Sequence, residues 1–361
     1  MLIKTHHRYI SSSFVKSILI VLLVFSSLVF VLNILEEIKF FKKFDIGLYY
    51  PIFLTFLNLP STLFEIFPFI FLISTQMIFL NFFNRDELII FKNHGLKNTN
   101  IIFILVLTSF LVGLILSTVF YTFSSKMKHS YLLFKNKFTD DNKYLAVVNE
   151  NGLWIKDEIN YSIYIINADT FGGDYLENVT IAVYDLNFNL TRTIIAEKID
   201  IKKKEWELQN LEIIDDTGLK KETLKTKNLV TNFDKEKISN LFSNLSSLNL
   251  IELFKLQKDY KSLGYSTLEI ETYLHKLYSM PIYLTIMTSI ASILMLNIKY
   301  NKSKIFNIII GIMLSVTIYY INYFFNLLGN NEKIPAITSI WLPNVILFLF
   351  CTIGFVNINE K

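Results

Sequence analysis

The stretch RDELIIFKNHG, Arg85 to Gly95, lies between two of the most apolar segments of the 361-residue chain. Arg85, Asp86, Glu87 and Lys92 make it too charged for hydrocarbon, while Leu88-Ile89-Ile90-Phe91 is too apolar for an ordinary solvated loop. The side of the membrane on which it sits decides how many times the chain crosses.

Apolar residues make up 52% of the chain, and the mean hydropathy is +0.41. Those values point to several membrane spans rather than a soluble globule. The formal net charge of +4 is too small to indicate a partner. The single cysteine, Cys351, lies in an apolar run, which excludes a disulfide or a cysteine-based zinc site within one chain. Basic residues precede the first apolar run, but Ser17–Leu35 carries no charge and is longer than the apolar core of a signal peptide. It reads as an uncleaved span.

A helix of about 20 uncharged residues crosses the hydrocarbon core. Ser17–Leu35, Asn98–Ser125, Leu277–Ile298, Ile305–Asn331 and Ile334–Asn359 satisfy this. Ile46–Asn84, interrupted by Glu65 alone, is too long for one simple span. It reads either as two spans, or as one span (roughly Pro60–Phe83) after an interfacial segment. Charge arbitrates, because Lys and Arg mark the cytoplasmic side of short loops. Lys4, Arg8 and Lys16 place the N-terminus inside, and Lys299, Lys302 and Lys304 place a later loop there. With six spans Arg85–Lys97 is also cytoplasmic, whereas with seven the basic loops would contradict one another. The expected fold is therefore α-helical in the membrane, three spans plus three, with both termini cytoplasmic.

The polar insert Lys126–Lys276 then lies on the far side. Tyr144–Asn149, Gly152–Lys156, Tyr161–Ala168, Thr180–Asp185, Leu190–Ala196 and Glu205–Gln209 are β-branched and aromatic runs. Turn-forming clusters at Asn149–Gly152, Gly172-Gly173 and Asp215–Gly218 separate them. Strands at this spacing predict an all-β sandwich or jelly roll. From Leu248 the pattern becomes helical, breaks at Gly264 and resumes into the fourth span. The expected organisation is 1–125 (first membrane half), 126–247 (β domain), 248–276 (helical elbow) and 277–361 (second membrane half).

Signs of chemistry are scarce. No glycine-rich phosphate loop, histidine–carboxylate metal spacing or nucleophile elbow occurs, so no catalytic residue, cofactor or metal is expected. Glu65, the one charge within a long apolar stretch, reads as a carboxylate at headgroup level rather than a midplane ion site. Lys39, Lys42 and Lys43 follow the first span beside Glu36 and Glu37. They read as snorkelling anchors, or as a basic lip for an anionic headgroup.

Within the opening stretch, Asp86 is placed to cap a short helix, Glu87 falls in its first turn, and Gly95 suits a left-handed stop. Four consecutive apolar residues wrap most of the way round such a helix. One face can meet lipid, and another needs an apolar partner. Two readings stand: an elbow packed on its own spans, or a coupling helix that docks into a cytoplasmic subunit.

Together these features resemble the LptF/LptG permeases of the lipopolysaccharide exporter, over nearly the whole chain. The segment D-E-L-I-I-F-K-N-H-G is similar to that family's coupling-helix pattern. Pro60 and Pro68, G-L-W-I-K-D at Gly152–Asp157, Trp206, Lys276, Pro281, Gly311, and Pro335 with Pro343 follow in order. The G-L-W-x-K-D motif is more similar to LptG than to LptF. The resemblance implies a periplasmic β-jelly-roll domain and a multi-pass protein of the Gram-negative inner membrane. It implies a non-catalytic subunit that takes lipopolysaccharide from the periplasmic leaflet and passes it to a periplasmic bridge, with no role for nucleic acid. Implied partners are an LptB-like ATPase dimer that supplies the hydrolysis, an LptF-like paralogue and an LptC-like single-span protein. Carried over by position, the ATPase-coupling residues are Asp86, Glu87, Leu88, Phe91 and Gly95, with Glu87 as the acidic one. Lys39 is carried over as a candidate phosphate contact of lipopolysaccharide, with Lys42, Lys43 and Asn33 as further candidates; Asn33 departs from the pattern, since some relatives carry lysine there. Two other readings remain: a membrane-anchored periplasmic binding or scaffold protein, for which six spans are more than needed, and a different ABC-type permease, in which the large domain usually follows the first span.

Overall fold

A computed structural model describes residues 5–44, 46–138, 153–159, 161–171, 174–215, 221–235, 238, 244–262, 266–297, 304–331 and 333–359. The helices, in chain order, are α1 (Thr5–Phe41), α2 (Tyr49–Asn84), α3 (Glu87–Asn93), α4 (Asn98–Ile115), α5 (Tyr121–Asn136), α6 (Leu250–Ser262), α7 (Leu268–Leu296), α8 (Lys304–Asn330) and α9 (Ala336–Asn359). A π-helical turn at Leu116–Phe120 joins α4 to α5. Among the described residues, six rods are long and apolar enough to span a membrane: α1, α2, α4 continued through α5, α7, α8 and α9. Three precede the β domain and three follow it, as the uncharged runs require. Of the basic loop residues used for orientation, Lys4, Lys299 and Lys302 lie outside the described residues.

The ambiguous Ile46–Asn84 region is one helix from Tyr49, with Pro60 and Pro68 in its interior. Neither proline breaks it, because neighbouring helices and local adjustment re-satisfy the backbone of a packed span; both are buried. Pro51 falls in the first turn, where no intrahelical amide is lost. Thirty-six residues extend about 54 Å, well beyond the roughly 30 Å hydrocarbon core. Arg85 fixes one end at the polar boundary, so the excess length stands at the Tyr49 end.

Residues 1–128 and 267–361 form one compact unit. Its centre is α7, which packs on α2, α4, α8 and α9. Lipid tails give little hydrophobic drive between helices, so close approach and polar contacts decide the packing. A Cβ on Gly113 would lie 2.9 Å from Pro281 Cα, so α4 and α7 nearly touch backbones there. Thr288 Oγ1 donates to Ser109 Oγ at 3.1 Å across the same contact. On the other side of α7, Leu72, Met287, Ala291 and Ile318 form a buried cluster. Nearby, Gln76 Nε2 donates to Asn307 O at 3.0 Å, tying α2 to α8. Gly311 leaves the space for that amide, since a Cβ there would overlap it.

Residues 129–266 form the second unit. Its described residues form six strands, β1 (Leu153–Ile159), β2 (Ser162–Phe171), β3 (Tyr175–Tyr184), β4 (Leu190–Asp200), β5 (Glu205–Asp215) and β6 (Lys221–Val230). They form one antiparallel sheet in sequential order. Five of the expected runs become β1 to β5. The sixth, Tyr144–Asn149, lies outside the described residues, as do the turn residues Asn149–Gly152, Gly172-Gly173 and 216–218, and Gly264. No run foreshadowed β6: it is an edge strand with no buried residue, so it lacks the apolar alternation that betrays its neighbours.

Register aligns a buried isoleucine row across four strands, Ile155–Ile166–Ile181–Ile194. Beside it runs Leu153–Ala168–Val179–Ala196–Leu211. Asn178 and Asn210 take left-handed backbone (φ 52° and 50°), and the register shifts between Val183 and Tyr184. Each irregularity changes the phase of inward and outward side chains. The inward face is consequently continuous in space and broken in sequence. Two residues of the resemblance motifs hold the segment after β6. Asp157, 1% exposed, accepts from the Asn232 backbone N–H at 2.9 Å and from Asn232 Nδ2 at 2.8 Å. Trp206, fully buried, donates its Nε1–H to Phe233 O at 2.9 Å.

Candidate functional site

The opening stretch forms α3, seven residues long. Asp86 holds the position before it, but in left-handed backbone (φ 56°) and without a side-chain capping bond. That corrects the expected cap. The chain must leave α2 and start α3 within two residues, and aspartate tolerates the left-handed turn better than most. Its carbonyl takes over, accepting from Ile89 and Ile90 N–H at 3.1 and 3.2 Å. Gly95 ends the helix as expected, at φ 81°. Its N–H donates to Lys92 O and that of Leu96 to Phe91 O, at 2.9 and 3.0 Å, the paired bonds of a glycine-stopped helix.

Glu87 faces α1. Tyr9 Oη donates to Glu87 Oε1 at 2.9 Å, and Arg85 Nη1 stands 3.9 Å from the same oxygen. Tyr9 is 43% exposed against 71% for the Arg85 side chain, so the tyrosine is the closer and less exposed partner. Glu87 Oε2 is buried and accepts no hydrogen bond among the described residues. Leu88 is buried. Phe91 meets the Phe82 ring edge-on at 5.4 Å and Tyr9 at 6.4 Å. Leu88, Phe91 and Glu87 thus anchor α3 to α1 and α2.

The outward apolar pair is Ile89 and Ile90, 46% and 52% exposed. Sequence reasoning singled out neither as a coupling residue, and it passed over Tyr9. Four apolar residues in a row conceal which pair turns inward, and the rings of Tyr9 and Phe82 settle it. Beside Ile90, between α3 and the start of α1, opens a groove of about 610 Å³ lined by His6, His7, His94, Asn100 and Phe103 among others.

At the other end of α1, Lys39 occupies the last turn, and Lys42 and Lys43 follow it, all exposed. They follow one another along the chain, beside the exposed Glu36. Asn33 lies about 9 Å back along the helix, half-buried, and donates to Thr62 Oγ1 of α2 at 3.4 Å. It therefore tethers two spans and stands apart from the lysines. Along the spans, the most apolar stretches of α1 and α8 are 22% and 17% buried, against 67% for α2 and 61% for α7. Both present long apolar faces outward.

The β unit offers a closed apolar row and a charged end. Lys198 and Lys202 lie over the Tyr175 ring at 4.2 and 4.9 Å. The Tyr175 hydroxyl, followed by Asp200, holds the Lys202 ammonium above its ordinary range. Lys235 pairs with Asp174 and draws that carboxyl below the usual carboxylate range. Among the described residues, no three His, Cys, Asp or Glu side chains converge as a metal would require.

The family model for the lipopolysaccharide export system permease LptF/LptG matches residues 8–357. No curated protein matches the chain.

Proposed function

Because the chain belongs to the LptF/LptG family of lipopolysaccharide export permeases, we propose that it is the LptG-like half of an ATP-driven exporter in the inner membrane, working beside an LptF-like paralogue. The family's members are transport subunits, and hydrolysis comes in this reading from an LptB-like ATPase dimer, with an LptC-like single-span protein alongside. One observation carries the coupling role. A helix of seven residues is pinned to the bundle on one side and turns two adjacent isoleucines outward on the other. An elbow packed only on its own spans would leave that pair to lipid, whereas an ATPase groove supplies the second apolar surface.

In this reading Asp86, Glu87, Leu88, Phe91 and Gly95 shape and hold α3, so a push on Ile89 and Ile90 reaches α1 through the Glu87–Tyr9 bond. The weakly buried α1 and α8 face the paralogue and enclose lipopolysaccharide between the two permeases. Lys39, Lys42 and Lys43 meet its phosphates at the cavity mouth, with Asn33 holding α1 in place. The cargo then passes along the apolar row of the β domain to a periplasmic bridge. The row is buried, so in this reading acyl chains reach it only if the covering residues move aside.

The test is reconstitution of the chain with paralogue, ATPase and lipopolysaccharide in liposomes. Release to a periplasmic acceptor should require ATP, and Lys39→Glu should lower photocrosslinking of lipopolysaccharide near the end of α1. ATP-independent release, or crosslinking unchanged by Lys39→Glu, would contradict the reading.

A further inference from the structure

At the end of the membrane unit remote from α3, a carboxylate and an ammonium share one cavity. Glu65 lies about 28 Å along α2 from Asn84, and Lys276 about 30 Å along α7 from Leu296. With a hydrocarbon core of about 30 Å, both stand at the headgroup layer of the opposite membrane face. The cavity, about 120 Å³ between α2, α7, α8 and α9, is lined by Glu65, Lys276, Tyr283, Asn322, Tyr323 and Asn344 among others. Glu65 and Lys276 line it without pairing with each other, and neither has another ionic partner among the described residues.

Asn344 supplies an independent sign of an occupant. It is 5% exposed, and its Nδ2 donates to Ile340 O of its own helix at 3.1 Å. Its Oδ1 is buried and accepts no hydrogen bond among the described residues. A buried acceptor left in that state costs free energy that an entering N–H donor would return.

We propose that this cavity binds the headgroup of a zwitterionic phospholipid carrying a primary ammonium and a phosphate. Glu65 takes the ammonium, Asn344 Oδ1 accepts one of its N–H groups, and Lys276 takes the phosphate. Two facts separate this ligand from the exported glycolipid. Drug-sized ligand pockets begin at roughly 300 Å³, so a cavity of about 120 Å³ suits a single small headgroup better than a phosphorylated disaccharide. A multiply anionic headgroup would also meet the Glu65 carboxylate. The bound lipid would staple α8 to α2 and α7 at headgroup level. The proposal stands on the membrane unit alone and does not rest on the export reading.

Native mass spectrometry of the full chain, purified in mild detergent, tests it. Phosphatidylethanolamine, phosphatidylglycerol of matched chains and lipopolysaccharide serve as probes. The wild type should retain phosphatidylethanolamine about fivefold over phosphatidylglycerol, the worth of one partly exposed ion pair. Glu65 is exposed, so Glu65→Gln should fold normally and erase that preference while keeping phosphatidylglycerol. Lys276→Gln should weaken retention of both. Equal retention by the wild type, or a preference that survives Glu65→Gln, overturns the proposal. Stoichiometric displacement of phosphatidylethanolamine by lipopolysaccharide would hand the cavity to the cargo and overturn it as well.

Discussion

Replacing Tyr9 by phenylalanine deletes one oxygen and tests how α3 is held. The ring can still meet Phe91, now 6.4 Å away, while the 2.9 Å bond to Glu87 Oε1 is lost. Glu87 Oε2 already accepts no hydrogen bond among the described residues, so the carboxylate keeps only Arg85 at 3.9 Å, whose side chain is 71% exposed. A hydrogen bond to a charged acceptor contributes about 1.5–3 kcal/mol. Partial exposure of Glu87 places this one at the lower end, about 1–2 kcal/mol. Seven residues cannot persist as an isolated helix, so undocking and melting of α3 are one event. Local opening should then rise by a factor of about 5–30. Hydrogen exchange of the Glu87–Asn93 amides in the purified chain reads it directly. Unchanged protection in Tyr9→Phe would refute the anchoring role of the tyrosine.

Gly311→Ala should push the Gln76 amide off Asn307 O and weaken α2–α8 docking by about 1–2 kcal/mol, the upper range for a hydrogen bond between membrane helices. Thermal unfolding in detergent would show the loss, and adding Gln76→Ala should recover part of it. In the β domain, Asp157→Ala strips both acceptors from Asn232 and should cost about 2–3 kcal/mol. Urea unfolding followed by tryptophan fluorescence should show an earlier midpoint at unchanged slope.

The membrane architecture was legible because hydrocarbon imposes a length and a charge rule on every span. Its one ambiguous region, Ile46–Asn84, stayed open until charge decided it, because Pro60 and Pro68 break solvated helices yet are accommodated in a packed span. Strands β1 to β5 were visible through β-branched residues, whereas β6, without a buried side chain, left no trace. Inward residues of the sheet could not be assigned from sequence, since Asn178 and Asn210 break the alternation. At α3 the existence of the helix and its glycine stop were readable from charge and Gly95. Its facing was not, because that depends on Tyr9, distant in sequence from Glu87. Asp86 illustrates the same limit: a capping residue type sat at the right position, and the reversal out of α2 used its backbone instead.

The central claim is that α3 receives the ATPase through its outward isoleucines. Ile89 and Ile90 are half-exposed, so Ile89→Asp with Ile90→Asp should leave the bundle folded, which Glu87→Lys would not guarantee given the Tyr9 bond. Co-purification of the ATPase with the tagged chain and its paralogue in mild detergent is the decisive measurement. The account predicts that the ATPase copurifies with the wild type and is lost from this side of the complex in the double variant, while size-exclusion behaviour is unchanged. Full retention of the ATPase on a folded double variant would contradict it.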